Sequence, residues 1–233
     1  MDRPVCVVTG VGPGNGAAIA RCFARDGHAL ALLARSTPYA AALAAELDVA
    51  KAYACDVGNE TAVAATFARI AEELGPVETL VCNAGSGVWG DVEHISPADF
   101  EATWRVNALG TLLTAQQVIP GMKQRGAGNI IVIGATASRR GGVRSAAFAP
   151  AKAAQRSLAE SMARSLWPAG IHVALVIIDG VVDLERTRQA MPDKPDSFFV
   201  QPDAVAATVH WLSRQDCSAW SFEVEARPFA EHW

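Results

Sequence analysis

The sequence predicts an α/β protein: a doubly wound parallel sheet of about seven strands with helices on both faces. Three observations carry this expectation. Short runs of valine, isoleucine and leucine alternate with segments of helical period along the chain, and strands that are apolar throughout belong to parallel sheets covered on both sides. The first run, Val5-Cys6-Val7-Val8, passes at once into the glycine-rich turn Thr9-Gly10-Val11-Gly12-Pro13-Gly14-Asn15-Gly16 and then into a helix. Finally, 233 residues with 51% hydrophobic and 19% charged side chains suit a single domain, residues 1–233, with a sizeable core.

Each element has its own reason. The first helix opens at Ala17, and residues 28–34 read as a second buried strand that ends at Arg35 and Ser36. Pro38 starts a helix with Leu43 and Leu47 on its inner face; residues 49–55 form the third strand, closed by Asp56 and Val57. Asn59 is placed to cap a helix whose Val63, Phe67, Ile70 and Leu74 share one face. Gly75-Pro76 stops it. Residues 77–82 make strand four, which runs into Asn83-Ala84-Gly85 and a loop through Asp91. Ser96 and Pro97 look like an N-cap and a first helical position, and that helix carries Phe100, Trp104 and Asn107 past Gly110 toward Lys123. Residues 129–133 are strand five, 147–167 a long helix and 171–178 strand six. The apolar, proline-containing stretch 179–200 has no clear period and is expected to be a loop or lid. Pro202 opens a last helix through Arg214, and residues 221–225 supply a seventh strand.

Composition excludes several classes of function. A net charge of −4 argues against nucleic acid, which needs a basic surface to neutralise phosphates. No window approaches the roughly 20 apolar residues of a membrane span. Met1-Asp2-Arg3-Pro4 leads straight into the first strand, so no signal peptide is expected. Five cysteines, an odd number without metal or C-x-x-C spacing, read as reduced thiols of a cytoplasmic protein. His28, His94, His172, His210 and His232 have no partners at metal spacing, and no metal is expected.

A strand, a glycine turn and a helix N-terminus together make a phosphate site: the backbone can approach closely, and free N–H groups and the helix dipole attract negative charge. The G-x-G-x-x-G spacing does not fit, because its last glycine falls on Asn15 or Ala17. T-G-x-x-x-G-x-G does fit, through Thr9, Gly10, Gly14 and Gly16. Ligands of doubly wound sheets sit at the C-terminal strand ends. That directs attention to Arg35, Asp56, residues 83–85, residues 134–138 and Asp179-Gly180.

These landmarks, in this order, resemble the short-chain dehydrogenase/reductase family over nearly the whole chain. The resemblance implies a Rossmann-like fold that binds a nicotinamide dinucleotide on Thr9, Gly10, Gly14, Asn15 and Gly16. Asp56 and Val57 would contact the adenine, Asn83, Ala84 and Gly85 would flank the cofactor, and Lys152 would hold the nicotinamide ribose. Gly180 and Val182 fall where the family touches the nicotinamide. At the end of strand two, NAD sites usually place an acid on the ribose hydroxyls. Here stand Arg35 and Ser36; a guanidinium pairs with a 2′-phosphate, so NADP(H) is expected over NAD(H). A solvated surface arginine is the plainer alternative. By the same resemblance the helix 147–167 packs on a second copy, giving a homodimer or homotetramer.

The pattern breaks at its catalytic set. The family reads Tyr-x-x-x-Lys with a serine thirteen residues before the tyrosine; this chain has Phe148-Ala149-Pro150-Ala151-Lys152, with Ala135 at the serine position. Lys152 and Asn107 remain. Tyr39 and Tyr53 lie in the cofactor half, and Thr136, Ser138 and Ser145 are the nearby hydroxyls. Where the family often has Pro-Gly and a following threonine, this chain has Asp179-Gly180-Val181-Val182-Asp183-Leu184. Met191, Phe198 and Phe199 either line a lid over a small-molecule substrate or pack that lid on the core. Two readings follow. One is an NADP(H)-dependent oxidoreductase of a small carbonyl or alcohol, or of an activated alkene or quinone. The other is a non-catalytic dinucleotide-binding protein that has lost its acid–base pair.

Overall fold

The computed structural model describes residues 3–230, so the expectations on Met1, Asp2 and His232 lie outside the described residues. Six strands, β1 (Val5–Thr9), β2 (Ala29–Ala34), β3 (Ala50–Ala54), β4 (Val77–Cys82), β5 (Gly128–Ala135) and β6 (Ile171–Ile178), alternate with helices. The helices are α1 (Asn15–Arg25), α2 (Pro38–Glu46), α3 (Glu60–Glu73), α4 (Pro97–Trp104), α5 (Gly110–Arg125) and α6 (Phe148–Leu166). After β6 come β7 (Val181–Val182), α7 (Glu185–Ala190), β8 (Phe199–Val200), α8 (Pro202–Ser213) and β9 (Glu223–Ala226). The main sheet has seven strands in the order β3-β2-β1-β4-β5-β6-β9, and every neighbouring pair is parallel. This is the Rossmann-like α/β fold. The strand order reverses between β1 and β4, which opens a crevice above their C-terminal ends.

The apolar runs are explained by two cores, one on each face of the sheet. Val5 and Val7 of β1 pack into one, and Cys6 and Val8 into the other. Because both faces are dry, the strand shows no polar alternation. Helix starts follow local chemistry: Asn59 Oδ1 accepts the Ala62 amide at 2.9 Å, and Ser96 Oγ accepts the Asp99 amide at 3.0 Å.

Three features depart from the sequence expectations. Helix α1 begins at Asn15 rather than Ala17, with Gly14 before it and no side-chain cap on its first amides. Between α4 and α5 the helix widens into a π-helical turn, Arg105–Leu109, that contains Asn107. Residues 179–200 are not an irregular loop: β7 and β8 pair in parallel and α7 lies between them. The period was invisible because each piece is too short to repeat it.

Gly10 shows how tightly the crevice is built. Its φ is +69°, and a Cβ there would lie 2.5 Å from the Ala84 Cα. Gly10→Ala should therefore cost about 2–4 kcal/mol, from the left-handed φ and from a backbone clash that cannot relax cheaply. Denaturant unfolding of the variant checks this; an unchanged midpoint would contradict it.

Candidate active site

A cleft of about 1120 Å³ lies over the strand ends and runs from Arg35 and Asp56 to Phe148, Lys152 and the segment after β6. Its midpoint is fixed by a clamp between β1 and β4. The Thr9 hydroxyl donates to Val81 O at 3.3 Å and accepts the amides of Asn83 and Ala84 at 3.1 and 3.0 Å. Asn83 Nδ2 donates to the carbonyls of Thr9 and Gly10 at 3.1 and 3.0 Å. Thr9 is buried and spends its hydroxyl inside the protein, so it shapes the turn rather than facing the cleft. Gly10, Asn15 and Gly16 line the cleft, as do Asn83, Ala84 and Gly85. Gly14, at φ +128°, lies beneath Leu184: a Cβ there would come within 2.3 Å of Leu184 Cδ2.

Arg35 and Ser36 are exposed at one end of the cleft, and the Arg35 guanidinium has no hydrogen bond or ion pair among the described residues. Asp56 Oδ1 accepts the Gly58 amide at 2.9 Å, while Val57 is buried against Gly110. The surroundings fit a phosphorylated dinucleotide. Uncapped α1 amides meet a glycine-rich turn, the Arg35 guanidinium stands at the far end, and the buried Asn15 Oδ1 has no hydrogen-bond partner among the described residues.

Lys152 dominates the other end. It is buried, and its Nζ donates to Ile133 O and Gln155 Oε1, both at 2.9 Å. Gln155 in turn donates to the Thr111 hydroxyl at 2.9 Å. Burial pushes the Lys152 ammonium down from its ordinary 10.5 to about 8. An ammonium has three donors, so two hydrogen bonds leave one proton uncommitted at the cleft wall. Asn107 does not line the cleft. The π-helical turn places it behind Gly85, where its Nδ2 donates to Ser86 O at 2.6 Å and Thr103 O at 2.8 Å. Its Oδ1 is buried without a hydrogen-bond partner among the described residues and lies 3.5 Å from the point a Gly85 Cβ would occupy; Lys152 Nζ lies 3.8 Å from that point.

Phe148 fills the cleft beside this lysine, its ring centre 5.9 Å from Nζ and 5.2 Å from the ring of Trp89. Ala135 lines the cleft and donates its amide to Ser138 Oγ at 3.1 Å. Ser138 is buried behind it, and the Ser145 hydroxyl is turned back onto Gly142. Thr136 donates its hydroxyl to Asp179 Oδ1 at 2.5 Å, and Arg227 holds the other Asp179 oxygen at 2.5 Å. Burial, and then the hydrogen bond that its hydroxyl donates to Glu73, pushes the Tyr53 phenol well up, and the residue is absent from the cleft wall.

The segment after β6 covers the crevice. Gly180 and Val182 line it together with Leu184, Arg186 and Met191, whereas Phe199 is buried. Arg188 ties the segment together by gripping Asp183 at 2.7 and 2.8 Å and Asp196 at 2.6 Å. Sequence reasoning missed Gln155 and Arg227. Gln155 had a signal, as a polar residue one helical turn from Lys152; Arg227 had none, since its partner Asp179 is 48 positions away.

Fold and cleft place the chain among the Rossmann-like α/β proteins, with a cleft over the C-terminal strand ends. The family model for short chain dehydrogenases matches residues 4–194, and the chain belongs to that family. The chain is 31% identical to the 3-oxoacyl-[acyl-carrier-protein] reductase MabA of Mycobacterium bovis, covering 91% of this chain and 86% of that protein. It is also 31% identical to D-xylose 1-dehydrogenase of Caulobacter vibrioides, covering 91% and 89%. Its backbone is similar to an alcohol dehydrogenase of the archaeon Thermococcus sibiricus solved with 5-hydroxy-NADP, at a TM-score of 0.89 and 28% identity, covering 99% and 98% of the chains. No helix among the described residues is long and apolar enough to cross a membrane.

Proposed function

We propose that this chain is an NADP(H)-dependent oxidoreductase of small carbonyls, alcohols or activated alkenes whose proton comes from Lys152. The observation that carries the reading is one cleft with an unpaired Arg35 at one end and a buried, partly committed lysine at the other. NADP(H), when bound, supplies or accepts the hydride. Gly10, Asn15 and Gly16 would take the pyrophosphate on backbone donors, Arg35 and Ser36 the 2′-phosphate, and Asp56 and Val57 the adenine. Asn83, Ala84, Gly85, Gly180 and Val182 would flank the nicotinamide.

Phe148 has no proton to give, and Ala135 has no hydroxyl to orient a carbonyl. Their work falls to Lys152, which holds one free N–H at the cleft. In reduction that proton passes to the carbonyl oxygen as the alkoxide forms, leaving a neutral amine. The unpartnered Asn107 Oδ1 beside Gly85 offers a seat for the water that returns it. Products that are already stabilised anions need the acid least, so quinones and activated alkenes are the best first substrates. The non-catalytic reading is favoured by Phe148 and Ala135, and it predicts binding without turnover across such a panel.

Paired fluorescence titrations with NADPH and NADH test the cofactor. Wild type should bind NADPH more tightly, and Arg35→Ala should lose about tenfold or more in NADPH affinity while NADH affinity stays within a factor of a few. Equal affinities in wild type would contradict the assignment.

A further inference from the structure

The protein is acidic, but its cleft is basic. The net charge is −4, yet the cleft is lined by Arg35, Arg140, Arg144, Lys152 and Arg186 against a single carboxylate, Asp56. Arg35 stands at the adenine end, and Arg186 follows the Leu184 that covers Gly14, on the side of the phosphate turn. Arg140 and Arg144 remain. Both stand on the loop between β5 and α6, at the opposite end from Arg35.

That loop is built rather than loose. The Gly90 amide donates to Arg144 O at 3.0 Å, the Ala146 amide to Gly90 O at 3.2 Å, and the Gly142 amide to Ser145 Oγ at 2.7 Å. It is thereby fixed to the segment that carries Trp89, whose ring lies 5.2 Å from Phe148. Its three arginines are used differently. Arg139 is spent on Glu223 and Glu225 of β9. Arg144 makes no side-chain hydrogen bond or ion pair among the described residues. Arg140 meets a carboxylate only at 4.0 Å, and that group, Asp179, is already held by Thr136 and Arg227. Unspent guanidiniums at a cleft mouth match a carboxylate in both geometry and charge, and they raise its local concentration.

We propose that Arg140 and Arg144 form an anion subsite, and that the substrate is a carbonyl or alcohol compound bearing a carboxylate on a body that lies against Trp89 and Phe148. This rests on the oxidoreductase reading above and adds the substrate class to it.

The test uses 4-formylbenzoate and its methyl ester, which differ in one negative charge, with the full chain and NADPH. The readouts are kcat/KM from cofactor absorbance and, separately, calorimetric binding of each probe to protein loaded with NADP⁺. The acid should be preferred over the ester by about tenfold or more, the scale of a charge-assisted contact. The preference should fall below about threefold in Arg140→Ala/Arg144→Ala and rise at low salt. Arg25→Ala, which removes an arginine at the far end of α1, should keep the full preference. Equal binding of acid and ester in wild type, a preference that survives the double variant, or no binding of either probe would overturn the subsite. Binding of the acid without turnover would uphold the subsite while contradicting the oxidoreductase reading, so the two failures are distinct.

Discussion

Lys152→Met should lower carbonyl reduction by about 10²–10⁴, the usual contribution of a positioned proton donor. Methionine keeps the unbranched stem and its packing, but gives up the proton and both hydrogen bonds to Ile133 and Gln155. The loss should not come from unfolding, because the lysine is a burden on the fold. Its ammonium is held at about 8 rather than 10.5, which means that burial disfavours the charged form in the native state. The cost is fully present below pH 8 and is relieved as pH rises from 8 toward 10.5, so wild-type stability climbs across that window. The methionine variant lacks this climb and melts at or above the wild-type temperature at neutral pH. A variant that retains wild-type turnover would remove Lys152 from the chemistry; one that is inactive because it is unfolded would contradict the stability argument.

Phe148→Tyr with Ala135→Ser should raise turnover of simple ketones by about 10²–10⁴. The ring is already in place, lining the cleft 5.9 Å from Lys152 Nζ, and Ala135 lines the same wall. A phenol added there would sit near a cation that lowers its pKa, and a serine would supply the missing donor to the carbonyl oxygen. The two gains are not expected to add, because both act on one developing charge. Steady-state kinetics on small ketones measures the effect. No gain, with NADPH still bound, would shift the limit to the segment after β6, where Leu184 rests on Gly14.

Much of this was legible in the sequence, because the doubly wound fold leaves a strong imprint. Strands buried on both faces must be apolar throughout, and the turn after β1 must be glycine where Gly10 meets Ala84. Arg35, Asp56 and Asn83 follow the ends of β2, β3 and β4 and Lys152 lies in the second turn of α6, and all four line the cleft. What stayed hidden depends on distant partners or very short elements. The pairing of Val181–Val182 with Phe199–Val200 is too brief to have a period. The π-helical turn around Asn107 adds a residue without any compositional mark. Thr9 looked like a phosphate ligand by motif, but the structure engages its hydroxyl with Val81, Asn83 and Ala84. Arg140 and Arg144 were ordinary loop arginines until the fold placed them on the wall of one basic cleft.

The most direct measurement is the pH dependence of wild-type turnover in both directions, followed by NADPH absorbance with a substrate that the panel selects. A proton held by Lys152 predicts that reduction falls as pH rises through about 8, while alcohol oxidation, which needs the neutral amine, rises through the same value. A flat profile through that range in both directions would contradict the assignment of the proton to Lys152.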